Sequence, residues 1–242
     1  MQLFTTKRRH ALPHVAVENI STVSLLIPIP IPIPLRTTCC SLPLSHASLV
    51  SSRRCSSRCS LLQVDWRKVR AAGFKGCVFD KDNTLTDPYK MCFHPDARDS
   101  FRECLRAFEG KVVLLSNSAG LEQYDPKGAE ADAIEKKLGC PVLRHKRKKP
   151  AAEPEVLERH FGAKTGELVM VGDRTLTDIA FGNSMGMLTV KCEPFTSRGE
   201  NLFVKLARRL EALLAFVLRA AGCAPPDHPL VQAGTDFTFT AS

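Results

Sequence analysis

The sequence predicts an α/β fold in which helices cover both faces of a parallel sheet of five strands. From Trp66 onward, short runs of β-branched and apolar residues alternate with segments of helical periodicity. That alternation is typical of β-α-β units, whose strands are buried on both faces and are therefore continuously apolar. The predicted strands are Gly76–Phe79, Val112–Leu115, Pro141–Leu143, Leu168–Val171 and Met187–Val190.

Helical segments separate these strands. They are predicted at residues 96–109, 128–138, 154–160 and 177–184. A glycine lies at or just after the expected end of each one, where the left-handed backbone of a C-cap favours it. These glycines are Gly110, Gly139, Gly162 and Gly186. The predicted architecture is thus a three-layer α/β/α sandwich of the Rossmann-like type.

Residues 1–64 have the composition of an organelle transit peptide. Glu18 is the only acid before Asp65, whereas seven Lys and Arg residues and the repeat IPIPIPIP at 27–34 precede it, so most of the net charge of +9 lies here. Proline breaks helices, and a segment rich in Ser and Arg but poor in acids is typical of an import signal. We expect 1–64 to be a transit peptide without stable structure, although a disordered N-terminal tail that stays attached is an alternative.

Residues 65–221 are predicted to form the folded domain, and the Pro-rich residues 222–242 are predicted to form a disordered C-terminal tail.

Polar side chains follow four of the predicted strands near their carboxyl ends. They are Asp80 and Asp82, then Ser116 and Asn117, then Lys148 and Lys149, and finally Asp173 and Asp178. Taken singly, each cluster has an ordinary explanation as a turn, a helix cap or a solvated face. Ligands of parallel sheets bind beyond the carboxyl ends of the strands, so we expect the four clusters to form one site.

The carboxylates of this predicted site suit phosphoryl transfer through an aspartyl-phosphate. Asp80 is the candidate nucleophile, and Asp82 is the candidate acid/base that protonates the leaving alcohol and then activates water. Asp80 and Asp173, with the backbone carbonyl of Asp82, are the candidate ligands of Mg²⁺, which prefers oxygen.

The remaining polar residues would bind the phosphoryl group. Ser116 and Asn117 are predicted to donate hydrogen bonds to its oxygens, while a lysine balances the charge that develops there. Lys149 is favoured over Lys148 because it directly precedes a proline at the expected start of a helix, but the run HKRKKP leaves the choice open. Asp178 is predicted to support the site by orienting the lysine or the waters of the metal.

The motifs resemble those of the haloacid-dehalogenase superfamily of phosphatases. They are DKDNT (80–84), SNS (116–118), KKP (148–150) and GDRTLTD (172–178). The longer stretches DKDNTLT, SNSAG, GDRTLTDIAFGNSMGM and EPFTSRGENLFVKLARRLE (193–211) look like the mitochondrial and plastid phosphatidylglycerophosphate phosphatase family. This resemblance implies a Mg²⁺-dependent phosphoric monoester hydrolase that converts phosphatidylglycerophosphate to phosphatidylglycerol and phosphate. It also implies a location in the chloroplast, the mitochondrion or both, on the stromal or matrix side of a membrane.

The segments between the motifs are too short to hold an inserted cap domain. We therefore expect a capless, open site, which favours a large or anchored substrate over a small metabolite. An anionic phospholipid is the leading interpretation, with no nucleic acid partner. A capless phosphatase for nucleic acid ends or phosphoproteins is the alternative enzyme, and a non-catalytic basic binding module is the alternative of another class.

A helix with an apolar stripe is predicted over residues 202–218. The stripe comprises Phe203, Leu206, Leu210, Leu213, Leu214 and Val217. Lys205, Arg208 and Arg209 lie beside it. Such a helix either packs on the sheet, as helices in this position usually do, or lies in a membrane interface. The sequence leaves both interpretations open.

Overall fold

A parallel five-stranded sheet forms the centre of the computed structural model, which describes residues 15–16, 61, 64–151, 153–198, 200–223, 226–232 and 235–238. Its strands are β1 (Val15–Ala16), β2 (Gly76–Phe79), β3 (Val112–Leu114), β4 (Leu168–Gly172) and β5 (Leu188–Lys191). They run in the order β1-β5-β4-β2-β3, and every neighbouring pair is parallel.

Helices connect the strands and continue after the last one. They are α1 (Trp66–Ala71), α2 (Pro95–Ala107), α3 (Ala129–Leu138), α4 (Pro154–Phe161), α5 (Ala180–Ser184) and α6 (Leu202–Ala220). A π-helical turn, Thr175–Ile179, leads directly into α5. Local signals explain several of the starts. Asp65 caps α1 by accepting hydrogen bonds from two backbone N–H groups, and Pro95 fills the first turn of α2, where its missing donor costs nothing.

The two faces of the sheet carry separate hydrophobic clusters, as alternating side chains of a strand require. On one face, Trp66 of α1 and Phe101 of α2 pack on Phe79 of β2, with ring centroids 5.7 and 5.3 Å away. On the other face, Leu157 of α4 packs in a cluster that includes Met170 of β4. The predicted three-layer α/β class and its parallel sheet are therefore confirmed.

One predicted strand does not form. Residues 141–143 contribute a single parallel bridge between Leu114 and Val142. Around this bridge the N–H of Leu114 donates to the carbonyl of Pro141 and the N–H of Leu143 donates to the carbonyl of Leu114, both at 2.8 Å. Pro141 has no N–H to continue the ladder, and the N–H of Val142, which points away from β3, donates to Oε1 of Glu135 at 2.7 Å. The fifth strand of the sheet is β1, in which Val15 pairs with Val190 of β5.

The N-terminal limit predicted at residue 65 is also too late. The strand β1 lies inside the segment expected to be an unstructured transit peptide. The side chains of Leu61 and Val64 are fully buried in the hydrophobic cluster that contains Phe79. The other residues of that predicted segment lie outside the described part of the chain.

The tail predicted to be disordered packs on the domain over residues 226–232 and 235–238. Phe237 is buried, with its ring 6.5 Å from that of Phe74, and the ring of His228 lies 5.1 Å from the same phenylalanine. The carbonyl of Phe237 accepts a hydrogen bond from the N–H of Asp65 at 2.7 Å. The burial of these two aromatic side chains against Phe74 thus outweighs the Pro-rich composition of the tail.

The predicted absence of a cap agrees with the connections between strands. Residues 80–94 join β2 to α2, and residues 115–128 join β3 to α3, with no domain inserted at either point of the described chain. Among the described residues, no helix is both long enough and apolar enough to cross a membrane.

Candidate active site

The polar residues that follow β2, β3 and β4 line one open pocket of about 280 Å³. Its lining includes Asp80, Asp82, Ser116, Asn117, Lys148, Asp173 and Asp178. Lys149 adjoins the pocket through its contacts with two of these carboxylates. The expectation that four separate sequence clusters meet at one edge of the sheet therefore agrees with the structure.

Lys149 is the lysine that contacts Asp80, the carboxylate predicted to be the nucleophile. Its Nζ lies 2.7 Å from Oδ1 of Asp80 and 2.7 Å from Oδ1 of Asp178, and its side chain is 1% exposed. The Nζ of Lys148 instead lies 5.3 Å from the centre of the Tyr124 ring. Lys149 was preferred because a helix was expected to start at Pro150. That expectation is wrong, because α4 begins at Pro154.

Asn117 fixes the backbone beside this lysine. Its Oδ1 accepts a hydrogen bond from the N–H of Lys149 at 2.8 Å, which ties the loop after β3 to the loop that carries the lysine. Ser116 lies in the same loop, where its Oγ accepts from the N–H of Ser118 at 3.2 Å. The side chain of His145 also contacts this loop, with Nε2 2.8 Å from the carbonyl oxygen of Ser116.

Asp178 supports the site with both of its carboxylate oxygens. Oδ1 accepts from Lys149, and Oδ2 accepts from the N–H of Arg174 at 3.1 Å. Gly172 at the end of β4 makes this approach possible, because a Cβ there would lie 2.4 Å from Cβ of Asp178. The carboxylate is thus held against the strand end and orients the lysine.

Asp173 has one oxygen paired and one without a partner. Oδ2 accepts from Nη2 of Arg208 at 2.5 Å, whereas Oδ1 is buried and accepts no hydrogen bond from the described residues. Burial raises the pKa of this carboxyl to about 8, despite the opposing positive charge of Arg208. A buried carboxylate oxygen that accepts no hydrogen bond is energetically unfavourable. A bound cation would satisfy this oxygen, so Oδ1 of Asp173 is suited to be a metal ligand.

The carboxylates fit a divalent metal ion. One oxygen from each of Asp80, Asp173 and Asp178 lies within 4.8 Å of the others. Both oxygens of Asp178 already accept hydrogen bonds, which leaves Asp80 and Asp173 as the better metal ligands. Carboxylate oxygens are the ligands that Mg²⁺ prefers. The proposed contribution of the Asp82 carbonyl stays a prediction.

The two candidate reactive carboxyls have different surroundings. Burial raises the pKa of Asp80 to about 6, even though Lys149 favours the ionised form. Asp82 lies at the pocket wall with its side chain 34% exposed. Its Oδ1 accepts from Nζ of Lys81 at 2.5 Å and from the N–H of Tyr89 at 2.9 Å, which fixes the carboxyl beside the pocket.

Two functional candidates were missed by the sequence motifs. Arg208 was interpreted as part of the basic flank of the last helix, but it lines the pocket together with Glu200. Glu200 accepts from Nη2 of Arg208 at 2.6 Å and from Nδ2 of Asn83 at 2.6 Å, so it links the last helix to the loop after β2. No periodic signal marks such a pair, because the contacts depend on where α6 crosses the sheet edge.

The site and the fold agree with the family assignment. The family model described as mitochondrial PGP phosphatase, where PGP is phosphatidylglycerophosphate, matches residues 1–195, which is most of the chain. The chain belongs to this family. The PGP phosphatase resemblance of the motifs is thereby confirmed, and the match also includes the residues that form β1.

Named relatives extend this result. Phosphatidylglycerophosphate phosphatase 1, chloroplastic, of Chlamydomonas reinhardtii is 53% identical over 172 residues, 71% of this chain and 64% of that protein. The chloroplastic/mitochondrial enzyme of Arabidopsis thaliana is 48% identical over 183 residues, 75% of this chain and 52% of that protein. The mitochondrial phosphatidylglycerophosphatase GEP4 of Saccharomyces cerevisiae is 33% identical over 147 residues, 59% of this chain and 79% of that protein. The chain thus spans less than two thirds of the length of the two plant-type relatives.

Proposed function

We propose that this PGP phosphatase family member hydrolyses phosphatidylglycerophosphate to phosphatidylglycerol and inorganic phosphate. The observation that carries the proposal is the cluster of Asp80, Lys149, Asp173 and Asp178 at one open pocket, in a chain of this family. The site supplies a nucleophile, a fixed positive charge and an oxygen site for a metal, which together are what a phosphomonoester requires.

In the first step, Asp80 attacks the phosphorus atom with a carboxylate oxygen. A bond forms between that oxygen and phosphorus, and the bond from phosphorus to the glycerol oxygen breaks. Asp82 donates its proton to the departing oxygen, so the product leaves as an alcohol. Although burial alone would lower it, Asp178 and Asp80 hold the pKa of Lys149 above its ordinary value. The charged lysine favours the ionised form of Asp80 and so opposes the burial that raises the pKa of this carboxyl to about 6.

In the second step, the aspartyl-phosphate is hydrolysed. Asp82, now ionised, accepts a proton from a water molecule whose oxygen attacks phosphorus, and the bond from phosphorus to Asp80 breaks. The Nδ2 of Asn117 is available to donate to the phosphoryl oxygens, because its Oδ1 is used by Lys149. Mg²⁺, when held by Asp80 and Asp173, would neutralise the charge of the phosphoryl group.

The openness of the site favours a substrate that is anchored elsewhere. In the described chain no cap covers the pocket, and the relatives are named for a lipid substrate and for chloroplasts or mitochondria. We therefore propose that the protein acts in one or both of these organelles, at a membrane surface on the stromal or matrix side, without spanning the membrane.

Phosphate release from phosphatidylglycerophosphate in detergent micelles, with Mg²⁺, tests the activity. A 3′-phosphorylated oligonucleotide and a phosphopeptide serve as competing substrates. Turnover of the lipid is expected to exceed both, and turnover of only the oligonucleotide or the peptide would exclude the lipid proposal.

Two variants with the same change of charge test the nucleophile. Asp80→Asn is expected to lower kcat by about a thousandfold or more, because no other carboxylate can form the covalent bond. Asp99→Asn on α2, whose side chain is 78% exposed, is the matched control and should keep full activity. Acid quenching with labelled substrate should trap phosphate on the wild-type protein and not on Asp80→Asn. Equal labelling of the two proteins would contradict the mechanism.

A further inference from the structure

The outward face of α6 is apolar along its whole length. Its exposed large apolar side chains are Leu202, Phe203, Leu206, Leu210, Leu213, Leu214, Phe216 and Val217. Their exposed fractions run from 38% for Leu214 to 81% for Phe203. The interpretation that this stripe packs on the sheet is therefore wrong. Soluble proteins rarely leave so continuous an apolar surface open unless it binds something.

Polar contacts fix which face of α6 points outward. Glu211, which is 4% exposed, accepts hydrogen bonds from the N–H of Thr175 at 3.1 Å and from Nη2 of Arg174 at 3.3 Å. Ala215 and Leu218 are buried on the same side of the helix. Since Glu211 is anchored to the turn that follows β4, the helix cannot roll its apolar stripe onto the domain without leaving this carboxylate buried and unpaired.

The charges along α6 suit an anionic surface. Glu211 is the only acid in the helix, and it faces the domain. Lys205 and Arg209 flank the apolar stripe, and Arg209 is exposed. A helix with a broad apolar face, basic flanks and no acid on its outer side is the type that lies in the interface of a membrane containing anionic lipids.

The apolar face adjoins the catalytic pocket. Val204 and Arg208 on α6 line that pocket, and so does Tyr89, which is 75% exposed in the loop that carries Asp82. Leu176, 40% exposed, follows the loop of Asp173. Exposed apolar side chains thus lie on several of the segments that form the pocket.

We propose that the outer face of α6 docks on a bilayer that contains anionic phospholipid and thereby presents the catalytic pocket to lipid headgroups. The choice of substrate rests on the function proposed above, whereas the docking itself rests on the exposed face and its charge. A second copy of the chain is a less suitable occupant, because pairing two such faces would bring their basic flanks together.

Flotation with lipid vesicles tests the docking. The purified wild-type protein is mixed with phosphatidylcholine vesicles with or without phosphatidylglycerol, and the bound fraction is measured at low and high salt. The double variant Leu206→Glu/Leu213→Glu is expected to lower the bound fraction on anionic vesicles by about tenfold or more, since it removes apolar area and adds repelled charges. Lys136→Glu, on the exposed side of α3, changes the net charge by the same amount and is the matched control.

A neutral variant guards against misfolding. Leu202→Ser/Phe203→Ser alters the two most exposed of these side chains and adds no charge. Binding lost in both double variants and kept in Lys136→Glu, with unchanged melting curves, supports the proposal. Unchanged flotation of both double variants would overturn it, and so would a wild-type dimer that dissociates in both variants without any vesicle binding.

Hydrolysis in micelles and flotation with vesicles, both measured on the wild-type protein, separate the docking from the proposed activity. Wild-type protein that hydrolyses phosphatidylglycerophosphate in micelles but does not float with anionic vesicles would overturn the docking alone. Wild-type protein that floats but releases no phosphate from the lipid would overturn the activity and leave the docking supported.

Discussion

Arg208 donates a hydrogen bond to Asp173 across the edge of the sheet, with Nη2 2.5 Å from Oδ2. The same guanidinium contacts both carboxylate oxygens of Glu200, at distances between 2.6 and 3.1 Å. Because Oδ2 of Asp173 is held in this way, its unpartnered Oδ1 is the oxygen left to bind a metal ion. The last helix therefore takes part in organising the carboxylates that are proposed to be catalytic.

Replacing this arginine should impair the reaction without removing any reacting group. Arg208→Gln is expected to lower kcat/KM by roughly tenfold to a hundredfold, since a charge-assisted hydrogen bond to a buried carboxylate is lost. Arg208→Lys should recover part of the activity, because it keeps the charge but cannot reproduce the forked contact with Glu200. Steady-state kinetics on micellar substrate, with a titration of Mg²⁺, measures both effects.

Arg102→Ala is the matched control for this series. Arg102 is 60% exposed on α2 and its ion pair with Asp99 is long, at 3.7 Å, so the variant should behave as the wild type. If Arg208→Gln kept wild-type kinetics and the same dependence on Mg²⁺, the positioning role would be refuted.

The two lysines of the third motif should differ sharply. Lys149→Ala leaves Asp80 and Asp178 buried without their common partner, which should cost about 3–5 kcal/mol of stability as well as activity. Lys148→Ala removes a contact with the Tyr124 ring, worth about 0.5–1 kcal/mol at an exposed site. Melting temperatures and kcat of the two variants provide the measurement. Similar losses in both would reassign the lysine of the site.

Much of the site was accessible from the sequence because parallel β-α-β topology brings strand ends together. A polar residue after each apolar run is enough to place Asp80, Ser116 and Asp173 at one edge. The choice between two adjacent lysines was not accessible, because it depends on which side chain the loop turns inward. In the structure this is decided by the hydrogen bond from the N–H of Lys149 to Asn117.

The errors in the fold have a common physical origin in long-range contacts. The segment predicted as a strand at 141–143 makes a single bridge to β3, and the extent of this pairing with a distant strand is not revealed by the apolar pattern. The strand β1 was overlooked because two residues carry no periodicity, and only their pairing with β5 identifies them. The orientation of α6 likewise depends on Glu211, whose hydrogen-bond donors Thr175 and Arg174 lie 36 and 37 residues earlier in the sequence.

Removal of the N-terminal residues should expose an edge of the sheet. A cut at the end of the transit peptide predicted for residues 1–64 deletes β1 and leaves β5 without the partner that pairs at Val190. We expect a protein lacking residues 1–60 to melt at a lower temperature and to aggregate more readily, because an unpaired strand invites pairing with other chains. A protein lacking only residues 1–12 is the control. Equal melting temperatures and equal solubility of the two would show that β1 contributes nothing.

Magnesium should stabilise the protein more at alkaline than at acidic pH. Burial raises the pKa of Asp173 to about 8 and that of Asp80 to about 6, both above the ordinary value of 3.8. The metal-free folded state therefore holds protons that the unfolded chain releases, and its stability falls as pH rises from the ordinary value through these two pKa values. A bound cation favours the ionised carboxylates and so removes this loss.

Melting temperatures in EDTA and in Mg²⁺ measure the effect. We expect the metal-free melting temperature to fall between about pH 5 and about pH 8, and the increase caused by Mg²⁺ to be larger at the higher pH by about 4 °C, corresponding to about 1–2 kcal/mol. Asp173→Asn should flatten both trends, because the neutral amide no longer titrates and binds the cation poorly. An increase caused by Mg²⁺ that is the same at both pH values would show that the metal does not bind at these carboxylates.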